Sequence, residues 1–271
     1  MSGVAARVNG QPADSLSILD RGLHYGDGVF RTLPVRGGRP LAWQAYQAAL
    51  ADDCRRLDLP SPSAEQWRAD CSALFADGGD GVLKCLVTRG VGGRGYRPAA
   101  TPEITRICLR YPEPPTRPAA LAIGWSRQLL GRNRQLAGIK HLNRLEQVLA
   151  ARELEGTDED ELLLCDENGG VISGSMSNLF LQRGGQLMTP SLEFAGIAGV
   201  TRGLILEQAS RAGLDVHVTD LSRSDVEQAD GLFLCNSLLG IRPVKQLDGT
   251  PRTVSDLTGT LQQLLEQARQ P

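Results

Sequence analysis

Apolar residues alternate with polar ones in short runs along this chain, and between those runs they recur every three or four positions. Residues 4–8 read as a short strand closed by the Asn9-Gly10 turn pair, and 29–35 as a second strand turned back by Gly37-Gly38. Helical spacing over 41–57 predicts one helix, and 63–75 predicts another with Ser63 as its N-cap. Two β-rich runs, 81–88 and 104–111, flank a loop rich in Gly and Arg. Farther on, 121–125, 161–165, 178–182, 216–218 and 231–235 read as strands. Helices are expected at 142–154, at 200–211 with Gly213 just past the end, and at 254–268.

Four prolines fall in the seven residues Pro112-Glu113-Pro114-Pro115-Thr116-Arg117-Pro118, which neither a helix interior nor a central strand accommodates. The chain is therefore expected to be an α+β protein of two domains. A smaller N-terminal domain covers 1–111, a linker 112–118, and a larger C-terminal domain 119–271.

Composition narrows the chemistry. Of 271 residues, 41% are hydrophobic and 22% charged, enough apolar material for a real core and too much for intrinsic disorder. A net charge of -2 sets up no global field for nucleic acid. No apolar run is long enough to cross a bilayer, and residues 1–10 lack a signal-like apolar stretch, so a cytoplasmic protein is expected. Six scattered cysteines without a C-x-x-C pair, and three histidines, form no zinc-ligand spacing; Cys85, Cys108, Cys165 and Cys235 sit in apolar runs and read as reduced core residues, so neither metal nor disulfide is expected.

Only three of the 29 basic residues are lysines: Lys84, Lys140 and Lys245. Lys84 alternates within an apolar strand and reads as a lysine on a solvated face; Lys245, near a turn, reads as surface. Lys140 directly precedes an expected helix, whose positive end favours the neutral amine that Schiff-base chemistry needs. Gly196-Ile197-Ala198-Gly199-Val200-Thr201 feeds the helix at 200 and offers backbone N–H groups and a hydroxyl to a phosphate. Cys235-Asn236-Ser237 ends an apolar strand with small polar groups. The loop Arg89-Gly90-Val91-Gly92-Gly93-Arg94-Gly95-Tyr96 lacks the Gly-Lys-Ser/Thr ending of a nucleotide loop, and its arginines suit carboxylates.

Two blocks, Asp20-Arg21-Gly22-Leu23-His24-Tyr25-Gly26-Asp27-Gly28-Val29-Phe30 and Gly138-Ile139-Lys140-His141-Leu142-Asn143-Arg144-Leu145-Glu146-Gln147-Val148, resemble the pyridoxal-phosphate enzymes of fold type IV. That group holds branched-chain and D-amino-acid aminotransferases and aminodeoxychorismate lyases. The 140–148 block, the 89–96 loop and Cys235-Asn236-Ser237 resemble the lyases most. The resemblance implies a homodimer with pyridoxal 5'-phosphate between the two domains. It implies Lys140 as Schiff-base lysine and acid/base, and Val200, Thr201, Asn236 and Ser237 around the phosphate. His141 and Ser173 would approach the cofactor ring, and Tyr25, Arg89, Arg94 and Tyr96 the substrate. The implied reaction converts 4-amino-4-deoxychorismate, a dicarboxylate, to 4-aminobenzoate and pyruvate on the route to folate.

Two positions depart from the family pattern. Ser173 stands where a glutamate usually keeps the pyridine nitrogen protonated, and Ala49 where an arginine contacts the phosphate; Arg56 lies two helical turns on. A hydroxyl can hydrogen-bond the nitrogen without holding a proton on it, which weakens an aminotransferase reading more than a lyase reading. An aminotransferase for a small amino acid and a non-catalytic paralogue remain the alternatives.

Overall fold

The computed structural model describes residues 4–270, which divide into two units. One holds the chain up to Pro115 together with Ile139–Asn143 and Gln270; the other holds Thr116–Gly138 and Arg144–Arg269. The division falls inside the proline-rich stretch. The second domain expected from residue 119 onward does not, however, keep Ile139–Asn143, because that segment hydrogen-bonds into the first unit's sheet.

The first unit contains β1 (Ala5–Val8), β2 (Gln11–Pro12), α1 (Arg21–Tyr25), β3 (Gly28–Arg36), β4 (Arg39–Pro40), α2 (Trp43–Arg56), α3 (Ala64–Leu74), β5 (Gly81–Thr88) and β6 (Thr105–Tyr111). Its six strands form one antiparallel sheet in the order β2-β1-β6-β5-β3-β4. The Asn9-Gly10 and Gly37-Gly38 pairs turn its hairpins, and all but Asn9 of these residues are glycines able to take the positive φ the turns require. Ser63 caps α3 and forms a reciprocal capping box with Gln66.

Alternation along β3 and β5 sorts the faces. Val29, Leu33, Leu83, Cys85 and Val87 are buried on one side, with α2 packed on β3 and α3 on β1 and β6. Phe30, Thr32, Lys84 and Leu86 lie half-buried on the other, in register across the Thr32–Lys84 and Phe30–Leu86 pairs.

The second unit contains β7 (Leu121–Leu130), α4 (Leu145–Arg152), β8 (Glu161–Asp166), β9 (Val171–Gly174), β10 (Asn178–Arg183), β11 (Gln186–Pro190), α5 (Val200–Arg211), β12 (Val216–Thr219), α6 (Arg223–Glu227), β13 (Gly231–Asn236), β14 (Gly240–Leu247), β15 (Thr250–Pro251) and α7 (Asp256–Ala268). Its sheet is mixed, in the order β12-β11-β10-β13-β14-β7-β8-β9, with β15 on β14; the β11–β12, β14–β7 and β7–β8 pairs are parallel. Helices α5 and α7 pack together over Phe180 and Phe233, which stack at 4.9 Å. A second cluster gathers Leu121, Ile123, Leu163, Leu179, Leu234 and Val244.

Two expected elements differ. β7 runs to Leu130, five residues past its expected end, because Leu129 and Leu130 resume pairing with β8 after an irregularity. Lys245 lies in β14, two residues before the strand gives way to the turn at Asp248-Gly249, and is exposed as expected. The helix expected from 142 begins only at Leu145, since residues 140–142 pair with β3 instead, Leu142 donating its N–H to the Gly28 carbonyl at 3.0 Å. All six cysteines are buried and free, and burial pushes the Cys54 thiol up to about 12. Among the described residues no helix is long and apolar enough to cross a membrane.

Candidate active site

In the first unit the chemistry gathers around Lys140. Its carbonyl accepts the Phe30 N–H at 2.9 Å, its own N–H points to Asp53 Oδ1 at 3.4 Å, and Val29 and His141 form an antiparallel bridge. Lys140 Nζ then lies 4.7 Å from the centre of the Phe30 ring. The helix-dipole argument fails here: α4 starts five residues beyond Lys140, and the lysine sits in an extended segment instead.

The N-terminal glycine-rich block builds this seat. Gly26 ends α1 in a left-handed conformation with φ 62°, and a Cβ there would stand 2.4 Å from Asn143 Oδ1. A Cβ on Gly28 would meet the Val87 carbonyl at 2.4 Å and Leu142 Cδ1 at 2.8 Å. Only glycine lets residues 142–143 approach so closely. Asp53 is buried beside Arg31, with Oδ2 2.6 Å from Arg31 Nη2. Burial raises the Asp53 carboxyl above its ordinary range, while Arg31 and the Lys140 N–H pull it back.

The 89–96 loop is tied down from beneath. Arg89 Nε binds Asp27 at 2.8 Å, and its Nη1 and Nη2 donate to the Asp58 and Leu57 carbonyls at 2.9 and 2.7 Å. Its guanidinium is thereby occupied within the fold. Arg21 Nε also binds Asp27, and its two terminal nitrogens hold the Gly95 and Tyr96 carbonyls. Tyr25 accepts the Gly95 N–H through its hydroxyl at 3.2 Å. Arg94 and Tyr96 are exposed at the loop's outer side.

The second unit carries the other predicted residues. At the start of α5, Gly199 provides no side-chain cap, so the first-turn N–H groups of Val200 and Thr201 have no acceptor within the helix. The Thr201 hydroxyl is buried without a hydrogen-bond partner. Asn178 Nδ2 holds the Ile197 carbonyl at 2.9 Å, and a Cβ on Gly199 would stand 2.2 Å from Asn178 Oδ1. Gly138 joins the same loop, accepting the Ala198 N–H at 2.9 Å and donating to Gly196 at 3.0 Å.

Ser173 is buried on β9, opposite Leu164. The turn that follows it is held by Glu161, whose Oε1 accepts the Ser177 hydroxyl at 2.7 Å and the Met176 N–H at 2.9 Å. Burial raises the Glu161 pKa against those hydrogen bonds. Asn236 is engaged structurally, donating to the Met176 carbonyl and accepting the Leu238 and Leu239 N–H groups. Ser237 is half-buried, and its carbonyl is held by Arg269.

Sequence reading missed Asp53, Arg31, Phe30 and Glu161. The one usable signal was an acidic residue at a helical position otherwise lined with apolar side chains: Asp53 lies three residues after Leu50 and four before Leu57. Glu161 is masked by the acidic run that precedes it. Among the described residues no cluster of His, Cys, Asp or Glu could hold a metal ion.

Comparison with known proteins adds an independent observation. The family model described as amino-transferase class IV matches residues 28–247. The chain is 33% identical to an aminodeoxychorismate lyase of Vibrio harveyi, over 96% of this chain and 97% of that one. A solved 4-amino-4-deoxychorismate lyase of Pseudomonas aeruginosa is similar at 41% identity and a TM-score of 0.92, covering 97% of this chain and 98% of its own. A putative branched-chain-amino-acid aminotransferase of Methanocaldococcus jannaschii is 29% identical, over 97% of this chain and 95% of its own.

Proposed function

Because the chain belongs to the amino-transferase class IV family, we propose that it eliminates pyruvate from 4-amino-4-deoxychorismate and leaves 4-aminobenzoate, as a pyridoxal-phosphate enzyme of folate biosynthesis. The seat of Lys140 carries this reading. Both blocks on which the fold type IV resemblance rests meet at that one lysine, through Phe30, Gly26 and Gly28 on one side and residues 140–143 on the other.

The residues present fit the cofactor. An orphaned, buried Thr201 hydroxyl beside the uncapped first turn of α5 is suited to a phosphate, with the main-chain N–H groups of Val200 and Thr201 as donors. Ser237 is assigned to the same phosphate, and the buried Ser173 hydroxyl to the ring nitrogen. Lys140 is the point of covalent attachment. When bound, the cofactor supplies an electron sink for the carbon that bears the substrate's amine.

Lys140 Nζ takes the proton from that carbon, the bond from the neighbouring ring carbon to the enolpyruvyl oxygen breaks, and the ring becomes aromatic. The same amine returns the proton to the departing enolpyruvyl group, which ends as pyruvate, so protons balance over the cycle. Phe30 covers the amine and keeps water from one side of it. Arg89 is assigned to anchoring the 89–96 loop, and Arg94, Tyr96 and Tyr25 to the substrate side of that loop. His141 is assigned to the main-chain bridge with Val29.

The similarity to an aminotransferase keeps a second reading open. Ser173 favours elimination over it, because a hydroxyl cannot hold the ring nitrogen protonated as a carboxylate does. Exposed Ile18, Leu19 and Leu23 lie near Val91, which is itself exposed and bridged to Asp20, forming an apolar surface that we assign to a homodimer in the cytoplasm. The reaction is tested by supplying 4-amino-4-deoxychorismate without any keto acid and following pyruvate through lactate dehydrogenase. The elimination releases pyruvate and 4-aminobenzoate in equal amounts. Transfer of an amine from a small amino acid to an added keto acid, without pyruvate release from 4-amino-4-deoxychorismate, would establish the aminotransferase reading, and neither reaction would establish a non-catalytic protein.

A further inference from the structure

Lys84 projects from the same half-buried sheet face as Phe30, and its Nζ lies 5.0 Å from the centre of the ring that Lys140 approaches to 4.7 Å. Two of the chain's three lysines therefore converge on one aromatic side chain. The neighbours of Lys84 on this face, Thr32 and Leu86 with Leu109 across the β5–β6 register, carry no negative charge. No carboxylate lies within ion-pair distance of Lys84 among the described residues, and its pKa is lowered by desolvation alone. A lysine on a solvated face, as the strand alternation suggests, would be neither desolvated nor laid against an aromatic ring.

Taking an ammonium partly out of water without a counter-ion is unfavourable, and contact with a ring face offsets only part of that cost. The fold here does so beside its reactive lysine. Arg89, which the sequence offers as a carboxylate ligand, has its guanidinium tied to Asp27, Leu57 and Asp58. With Arg94 assigned to one carboxylate of the dicarboxylate, a group recognising the other must come from outside that loop. Both amines lie within 5.0 Å of one ring centre, so they are no more than twice that distance apart. One small molecule can offer its amine-bearing carbon to Lys140 and a carboxylate to Lys84.

We propose that Lys84 is a substrate-contacting residue whose ammonium binds one carboxylate of the dicarboxylate substrate. This rests on the elimination reading for the identity of the substrate, and on the geometry of the Phe30 face for the anion site itself.

The test titrates cofactor-loaded wild type, Lys84→Met and Lys84→Arg with chorismate, which keeps both carboxylates and carries a hydroxyl in place of the amine. Met preserves the length of the side chain, and thermal midpoints establish that each variant is folded; Lys84→Gln serves if the Met variant is not. Loss of one charge-assisted contact weakens binding about tenfold or more in the Met variant, while Arg stays within about threefold of wild type. In turnover the Met variant raises KM by a similar factor and leaves kcat within about threefold. Equal affinity of wild type and Lys84→Met, or a wild type that does not bind chorismate, overturns the proposal. Lys84-dependent binding without pyruvate release keeps the anion site and sinks the lyase reading, whereas pyruvate release with Lys84-independent binding does the reverse.

Discussion

Phe30 and Lys140 hold each other twice: the Phe30 N–H donates to the Lys140 carbonyl at 2.9 Å, and the Lys140 ammonium lies 4.7 Å from the centre of the Phe30 ring. The main-chain contact fixes where the lysine leaves the backbone, and the ring fixes the side on which its amine lies. Side-chain pairing in an extended segment makes the two inseparable, because directly opposed residues share a face. Lys140 thus takes its position from β3 and not from the helix that follows it.

Asp53 supports that seat from below. It pairs with Arg31 while both side chains are almost wholly buried, and it faces the Lys140 N–H. Removing one partner of such a pair leaves a buried charge and costs about 3–5 kcal/mol. Asp53→Ala is expected to lose about that much in urea unfolding, and the double change Arg31→Met with Asp53→Leu to recover most of it. A single variant as stable as wild type would contradict the pairing.

Arg89 is expected to act through the fold. Hydrogen bonds to charged groups contribute about 1.5–3 kcal/mol each, so Arg89→Ala should destabilise the protein by about 2–3 kcal/mol after relaxation. Arg89→Lys should not rescue it, because three differently directed partners need the planar fork. A thermal midpoint unchanged in Arg89→Ala, with a raised KM, would return this arginine to the substrate.

Glu161 makes stability depend on pH in a stated direction. Its folded pKa is raised by burial above the ordinary value of about 4.5. The stability it contributes is therefore fully present below about pH 4 and is lost as pH rises through the folded value. Glu161→Gln keeps an oxygen for Met176 and Ser177 and cannot ionise. Its thermal midpoint relative to wild type should rise between acid and neutral pH; a constant difference would contradict the buried carboxyl.

Ala49 bears on the proposed cofactor site. It lies on α2 one turn before Asp53, half-buried, where the family pattern has a phosphate-contacting arginine. Without that contact the cofactor should wash out on dialysis, and Ala49→Arg should tighten its binding by roughly ten- to a hundredfold. Tight retention by the wild type through dialysis would mean that other groups have replaced it.

What was legible in the sequence was local. Ser63 announces α3 through its own capping box, and the Asn9-Gly10 and Gly37-Gly38 pairs announce their hairpins through the backbone they alone favour. Lys140 and Thr201 stand out in the sequence because their motifs are contiguous, and the structure lays the one against Phe30 and leaves the hydroxyl of the other buried without a partner. What the sequence does not show is non-local. Leu142 begins an apolar pattern of helical spacing, yet its N–H is taken by Gly28 on a strand far back in the chain. Arg89 sits in a motif suited to carboxylates, and only the folded chain brings Asp27 and the end of α2 beneath it. Lys84 follows the alternation of a surface strand, and nothing in that pattern tells of the ring it meets.

The central claim, that Lys140 and not its neighbour Lys84 carries the cofactor, is tested most directly by borohydride reduction of the cofactor-loaded protein and mass mapping of its three lysines. The account predicts one pyridoxyl group per chain, on Lys140, and none in Lys140→Ala. A label on Lys84 or Lys245 in the wild type, or an undiminished label in Lys140→Ala, would contradict it.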